Sequence, residues 1–315
     1  MKHRGTRRLL IAAIAISAFA TCDLHAQETP TTLSVVSYNV QFLPGMASAA
    51  NKRKEPHYRA ERIAEELSRF DIVALQETFH PRFRDIIING LRKAWDGELN
   101  LVVSPEDEGR FNGGCLIATR LPIVESDAMI FEHFSTPEEY GVRADGHAAK
   151  GVIYARIARS EDTPGDTVDV FVTHLEARAD HLRELQYPEF AAFVRAKSSP
   201  TRPALLMGDF NTRGMNEHRA DPNSQYTMLT SALAGALDRE LIDVWPTLMG
   251  DAFGGTSEQD SIETGKRIDY VMLTNAPEKR LIPKSIAINM HQDSKVVALS
   301  DHNAVEVELD WSSPD

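Results

Sequence analysis

Residues 204–212 read ALLMGDFNT. Ala204 to Gly208 make a short apolar run with the length of a strand buried on both faces, and it runs directly into Asp209 and Asn211. The same construction recurs along the chain. VVSYN ends at Asn39, IVALQE at Glu77 and VFVTH at His174, while RIDY carries Asp269 and SDH sets Asp301 and His302 before a last apolar strand. Strand ends are where side chains far apart in sequence meet in one cleft. Taken singly each is bland: GDFN is a turn, LQE a strand end with a solvated acid, and Asp-His a surface pair. Six endings bearing only Asn, Asp, Glu or His are hard to read as separate accidents.

Between these endings strands and helices alternate. In Thr167 to His174 the valines 168, 170 and 172 alternate with Asp169, Phe171 and Thr173, the two-residue period of a pleated strand. Tyr58 to Phe70 instead places Ala60, Ile63, Ala64 and Leu67 at helical spacing. Further helices are predicted over Pro81 to Trp95, Arg178 to Lys197 and Ser224 to Leu233. Further strands are predicted over Leu33–Val40, Asp71–Gln76, Leu116–Thr119, Val124–Phe131, Lys150–Arg159, Arg267–Leu273 and Ala304–Trp311. No repeat and no linker divides them. The pattern predicts one α/β domain over 27–315, built as a layered sandwich around mixed sheets.

Residues 1–26 read as a secretory signal: Lys2, Arg4, Arg7 and Arg8 precede the apolar run Leu9 to Thr21, which is short for a membrane span. Thr21 fits poorly before a lipidated Cys22, and the residues after Arg7-Arg8 do not complete a twin-arginine pattern. Export to a secreted or periplasmic location is therefore expected. The net charge is −12, and loss of that basic segment makes the remainder more acidic still. Such a chain has no global basic footprint for nucleic acid. Lys52, Arg53 and Lys54 form one short basic cluster, read as a solvated loop. Cys115 would be left without a disulfide partner and is read as a small buried hydrophobe, and Asp243 and Trp245 are assigned to the core.

Carboxylates with few soft ligands favour a hard cation, Mg²⁺ first, with Mn²⁺ or Co²⁺ as substitutes. The cysteine count excludes a zinc thiolate site. The chemistry that needs such a set is hydrolysis of an anionic phosphodiester, where charge must be offset, a water aligned and a leaving oxygen supplied with a proton or cation. Glu77 is the first choice of metal ligand, with Asn39 as a second or outer oxygen. His302 is read as a donor to the phosphoryl group, its tautomer set by Asp269 or Asp301. Asp209 and Asn211 orient water and hold a phosphate oxygen, and His174 binds phosphate or protonates the leaving group.

The series SYNV, LQET, THLEA, GDFNT, RIDYV and SDHNAV, spread from Leu33 to Leu309, resembles the endonuclease/exonuclease/phosphatase superfamily. The resemblance implies a four-layer α/β sandwich of two mixed sheets flanked by helices, the DNase I-like fold, and divalent-metal hydrolysis of phosphate esters. It also implies that Glu77 binds the metal with Asn39 beside it, that Asp209 and Asn211 handle water and phosphate, and that His302 works with Asp269. NVQFLP at Asn39 to Pro44, AKGVIYARI at Ala149 to Ile157, and the Gly113 to Thr119 strand leading into RLPI resemble the neutral sphingomyelinase (sphingomyelinase C) branch. That likeness implies a phospholipid substrate, transient membrane contact and a monomer. Lys150 is then either a substrate-binding residue or a solvated lysine on a Gly-broken strand. The branch's exposed aromatic hairpin has no counterpart here, since NMHQDSKVVALS at Asn289 to Ser300 has no Phe, Trp or Tyr. Such aromatics supply interfacial affinity.

Overall fold

The computed structural model describes residues 32–45, 47, 52–257 and 262–312. The expected signal segment lies outside them. Twelve strands form two six-stranded sheets. In the first lie β1 (Thr32–Asn39), β2 (Ile72–Gln76), β3 (Asn100–Val103) and β4 (Leu116–Thr119). The second holds β5 (Ile123–Ile130), β6 (Gly151–Ala158), β7 (Thr167–His174), β8 (Ala204–Asp209), β9 (Ile242–Asp243) and β10 (Asp269–Thr274). The chain then returns to the first with β11 (Arg280–Asn289) and β12 (Ala304–Ser312). The first sheet has the order β11-β12-β1-β2-β4-β3 and the second β9-β10-β8-β7-β6-β5.

Each sheet has one parallel pair, β1 with β2 and β7 with β8, and antiparallel neighbours elsewhere. A helix crosses over within each parallel pair: α1 (Pro56–Leu67) before β2 and α3 (Asp180–Lys197) before β8. A second helix follows each pair, α2 (Pro81–Ala94) and α4 (Gln225–Leu237). The two sheets are therefore topological duplicates in which β1 corresponds to β7 and β2 to β8. No sequence repeat marks this.

Three apolar clusters hold the layers together. One lies between the sheets and contains Val35, Ile72, Ile117, Val168, Val170, Val172, Leu205, Met207, Val271 and Val307. The others pack the outer face of the first sheet on α1 and α2, and that of the second on α3 and α4. Burial on both faces explains why all eight residues of β7 are inaccessible, charged Asp169 included. That carboxylate is satisfied by Tyr154 Oη at 2.7 Å, Arg156 and Arg202.

The fold class read from the sequence is the one observed, and most strand boundaries agree within two residues. The sequence does not predict strands β3, β9 or β11. The alternation of β11 is mostly exposed or half-buried, and Pro283 sits at a register shift against β12, as expected for a strand edge. No helix among the described residues is long and apolar enough to cross a membrane.

Candidate active site

Strand parity brings the polar endings together. Leu33 and Val35 face the other sheet, so Ser37 and Asn39 share that face. The same two-residue step takes Val172 to His174, Met207 to Asp209 and Val271 to Asp269. Register does the rest: Asp209 pairs with His174 on β7 and with Asp269 on β10, so three neighbouring strands present three polar groups in a row. Across the gap stand Asn39 and Glu77 at the ends of β1 and β2. Glu77 and Asn211, just past the equivalent strands of the two halves, both take left-handed backbone angles, φ 57° and 48°.

Asp209 is the hub. Its Oδ2 accepts from Asn39 Nδ2 at 3.0 Å and lies 3.6 Å from His174 Nε2 and 3.8 Å from His302 Nε2. Its Oδ1 accepts from the Asn211 backbone N–H at 2.9 Å. The Asn211 side chain donates to Leu175 O at 3.0 Å. Asn39 also donates to Glu77 Oε1 at 3.0 Å, while its own oxygen accepts from the Gln41 backbone at 3.1 Å. That backbone donor identifies which amide atom is oxygen, so Asn39 turns its nitrogen to the two carboxylates. His302 Nδ1 contacts Asp269 Oδ2 at 2.9 Å, leaving Nε2 towards Asp209. Asp301 does not orient His302; it accepts from Gln41 Nε2 at 2.5 Å and faces Lys52 Nζ at 3.3 Å.

Lys150 is buried, not solvated. Its ammonium donates to Asp145 at 2.6 Å and to Leu175 O, and lies 3.1 Å from His174 Nε2. Burial, then Lys150, then His302 hold His174 well below the ordinary imidazole range, so it is neutral and the cation at this corner is Lys150. His302 is the opposite case. Burial works against its charge, but Asp269, followed by Asp209 and Asp301, outweighs it and holds the ring well above that range. Burial and then Asp269 push Asp209 up to about 7, and burial and then Asp301 raise Glu77.

Several residues of this network are not among the site candidates read from the sequence. Gln41 ties Asn39 to Asp301. Lys52 reaches Asp301, so part of the basic cluster belongs to the site's border and not to a free loop. Arg267 donates to Asp243 at 2.8 Å and to Gly214 O, so Asp243 is buried as expected but serves as an ion-pair partner. Cys115 is buried, as anticipated.

Glu77, His174 and Asp209 offer ligand atoms within 4.8 Å of one another, and so do Asp209, Asp269 and His302. Glu77 Oε2, Asp269 Oδ1 and Asp301 Oδ1 are buried without a hydrogen-bond partner among the described residues. Four carboxylates sharing one cleft, three with an unused oxygen, form a donor set suited to a hard divalent cation.

Without a cation the cluster is a pH-dependent burden. Asp209 has its folded pKa raised to about 7 from 3.8, so the stability it withholds grows as pH rises to and through 7. His302, raised above 6.5, contributes stability that is full below 6.5 and is lost as pH rises through its folded value. His174 opposes them only below 6.5, where the unfolded ring would charge. Metal-free protein should therefore lose thermal stability from pH 6.5 to 8, and saturating Mg²⁺ should flatten the trend. Melting curves with and without chelator check this; equal slopes would contradict it.

The family model described as "Endonuclease/Exonuclease/phosphatase family" matches residues 36–302. No curated protein sequence matches the chain. Among solved structures, a humanized TDP2 of D. rerio superimposes with a TM-score of 0.62 at 17% identity, covering 89% of this chain and 99% of that one. Sphingomyelinase C from Streptomyces griseocarneus gives 0.58 at 19%, covering 88% and 99%. A beta toxin mutant from Staphylococcus aureus with bound magnesium ions gives 0.60 at 17%, covering 88% and 99%. At these identities the structures speak for the fold. The family match spans every polar strand ending from Asn39 to His302, and on that ground the chain belongs to the endonuclease/exonuclease/phosphatase family, as a metal-dependent phosphoesterase.

Proposed function

We propose that the chain is an exported phosphodiesterase of phospholipase C type, which cleaves sphingomyelin or a related phosphocholine or phosphoethanolamine lipid and releases the phosphorylated head group. The observation that carries phosphodiester hydrolysis is Asp209 flanked by one neutral and one charged imidazole, His174 and His302, opposite Glu77. Mg²⁺, with Mn²⁺ or Co²⁺ as substitutes, would be held by Glu77 with Asn39 beside it, and when bound would offset charge on the phosphate oxygens. His302, fixed by Asp269, donates from Nε2 to the phosphoryl group. Asp209 and Asn211 align the attacking water, and Asp301 supports this side through Gln41. His174 and buried Lys150 bind an anionic phosphate oxygen.

The lipid reading is supported by the NVQFLP and AKGV segments and by Lys150 reaching the site. With no aromatic in 289–300, membrane contact falls to half-exposed Phe111, which lies against Gly45, and to exposed Val297 in the 289–300 segment. The enzyme acts as a monomer in this reading. A second reading, a secreted nuclease, is favoured by exposed Arg178 and Arg213 near Leu175 and Asn211, which suit a nucleic-acid backbone.

Sphingomyelin, phosphatidylcholine, DNA and an inositol phosphate assayed in parallel, with and without chelator, test the proposal. The expected result is chelator-sensitive release of phosphocholine from sphingomyelin. Cleavage of DNA alone would overturn the lipid reading, and no turnover of any substrate would favour an inactive binding module.

A further inference from the structure

We propose that Arg59 is a positioning residue, which holds the Asn39–Gln41 and Ser300–His302 segments in the relative placement that phosphodiester hydrolysis requires. Arg59 sits on α1 and is fully buried, yet among the described residues its guanidinium has no carboxylate within hydrogen-bond reach. Its donors go to main-chain carbonyls. Nε donates to Leu299 O at 2.6 Å and Nη2 to Val40 O, with longer contacts to Gln41 O at 3.5 Å and from Nη1 to Arg53 O at 3.3 Å. The ring of Phe42 lies beneath the guanidinium, 4.6 Å from its central carbon. A buried cation is costly unless its donors are met, and a planar fork meets several fixed acceptors at once where an ammonium cannot.

What Arg59 grips gives it a role beyond packing. Val40 and Gln41 directly follow Asn39, and Leu299 directly precedes Ser300, Asp301 and His302. These two segments meet at the site from opposite ends of the chain. Each carbonyl is one step from a site group. The Gln41 N–H fixes the Asn39 side-chain oxygen, and Gln41 Nε2 holds Asp301. Ser300 Oγ donates to Asn39 O at 2.7 Å and accepts from the His302 N–H at 3.3 Å. Gln41 itself has φ 49°, a left-handed conformation that Arg59 and these bonds help to maintain. Burial lowers the Arg59 pKa to about 10, so the group stays charged at neutral pH, with Asp301 and Glu77 among the charges that sustain it.

Arg59→Lys keeps the cation and the stem but removes the fork. It is assayed on bis(p-nitrophenyl) phosphate, an activated diester, so that the result stands whether or not a lipid is the substrate. The expected outcome is a fall in kcat of about 100-fold, the scale of a misplacement near 1 Å, with KM changed by less than about threefold. Amide hydrogen exchange should quicken in residues 38–43 and 298–303 together while the rest of α1 keeps its protection. Arg69→Met, which removes an exposed pair with Glu306, is the control and should leave kcat unchanged. A kcat for Arg59→Lys within about twofold of the parent, or faster exchange confined to α1, would overturn the proposal. Should Arg59→Lys fail to fold, Phe42→Leu carries the test. It removes the ring beneath the guanidinium without touching a site side chain, so a fall in kcat with quicker exchange in 38–43 and 298–303 together is expected, and an unchanged kcat refutes the role.

Discussion

Asp209→Asn is expected to lower kcat by about a thousandfold while KM and secondary structure stay near those of the parent. The substitution is isosteric, so the 3.0 Å approach of Asn39 and the turn through Asn211 need little rearrangement. What is lost is the charge. Asp209 Oδ2 accepts from Asn39 and stands 3.6 Å from His174 and 3.8 Å from His302, and an amide there presents either an oxygen without charge or a donor facing the Asn39 donor. Removing a preorganised charged group or its proton acceptor typically costs a hundredfold to ten-thousandfold in turnover. Stability should move the other way. The buried carboxylate is already costly enough for its pKa to rise to about 7, so the metal-free variant should melt higher than the metal-free parent at pH 8. Steady-state kinetics and melting curves on the same sample check both. A loss of less than tenfold would remove Asp209 from the reacting centre.

Glu77→Gln should have the second largest effect, and through metal binding. One oxygen, Oε1, is held by Asn39 Nδ2 at 3.0 Å; the other, Oε2, is buried and has no hydrogen-bond partner among the described residues. That is the state of a carboxylate built to meet a cation. Glutamine removes the charge and, in one of its two orientations, sets a donor against the Asn39 donor. Binding of Mg²⁺ measured by calorimetry should weaken by at least about 100-fold, the scale seen when even outer partners of metal ligands are changed. Activity at fixed low Mg²⁺ should fall accordingly and recover in part as the ion is raised. An affinity and rate equal to the parent's would take Glu77 out of the metal site.

The site could be located in the sequence because its residues are strand ends. Parity along β7 and β8 puts His174 and Asp209 on the inner face by the same step that points Val172 and Met207 into the core, and that is local information. The supporting residues were not legible for the opposite reason. Arg59 lies one step from Ala60 in an amphipathic helix, where a charged residue ordinarily faces water. Gln41 and Lys52 sit in segments without periodicity. β11 was missed because an edge strand needs only one partner and one apolar face, and Pro283 reads as a break.

The metal-ligand and catalytic candidates named at the outset thus share one cleft, which strand alternation and residue chemistry were enough to anticipate. Only the tertiary structure decided how they differ. His174 and His302 both follow or precede apolar strands and have the same intrinsic chemistry. One is neutral beside Lys150 and the other charged beside Asp269, and those partners lie 24 and 33 residues away in the chain. Protonation depends on burial and on which charges stand within a few ångströms, and a sequence specifies neither until the sheets have closed over each other.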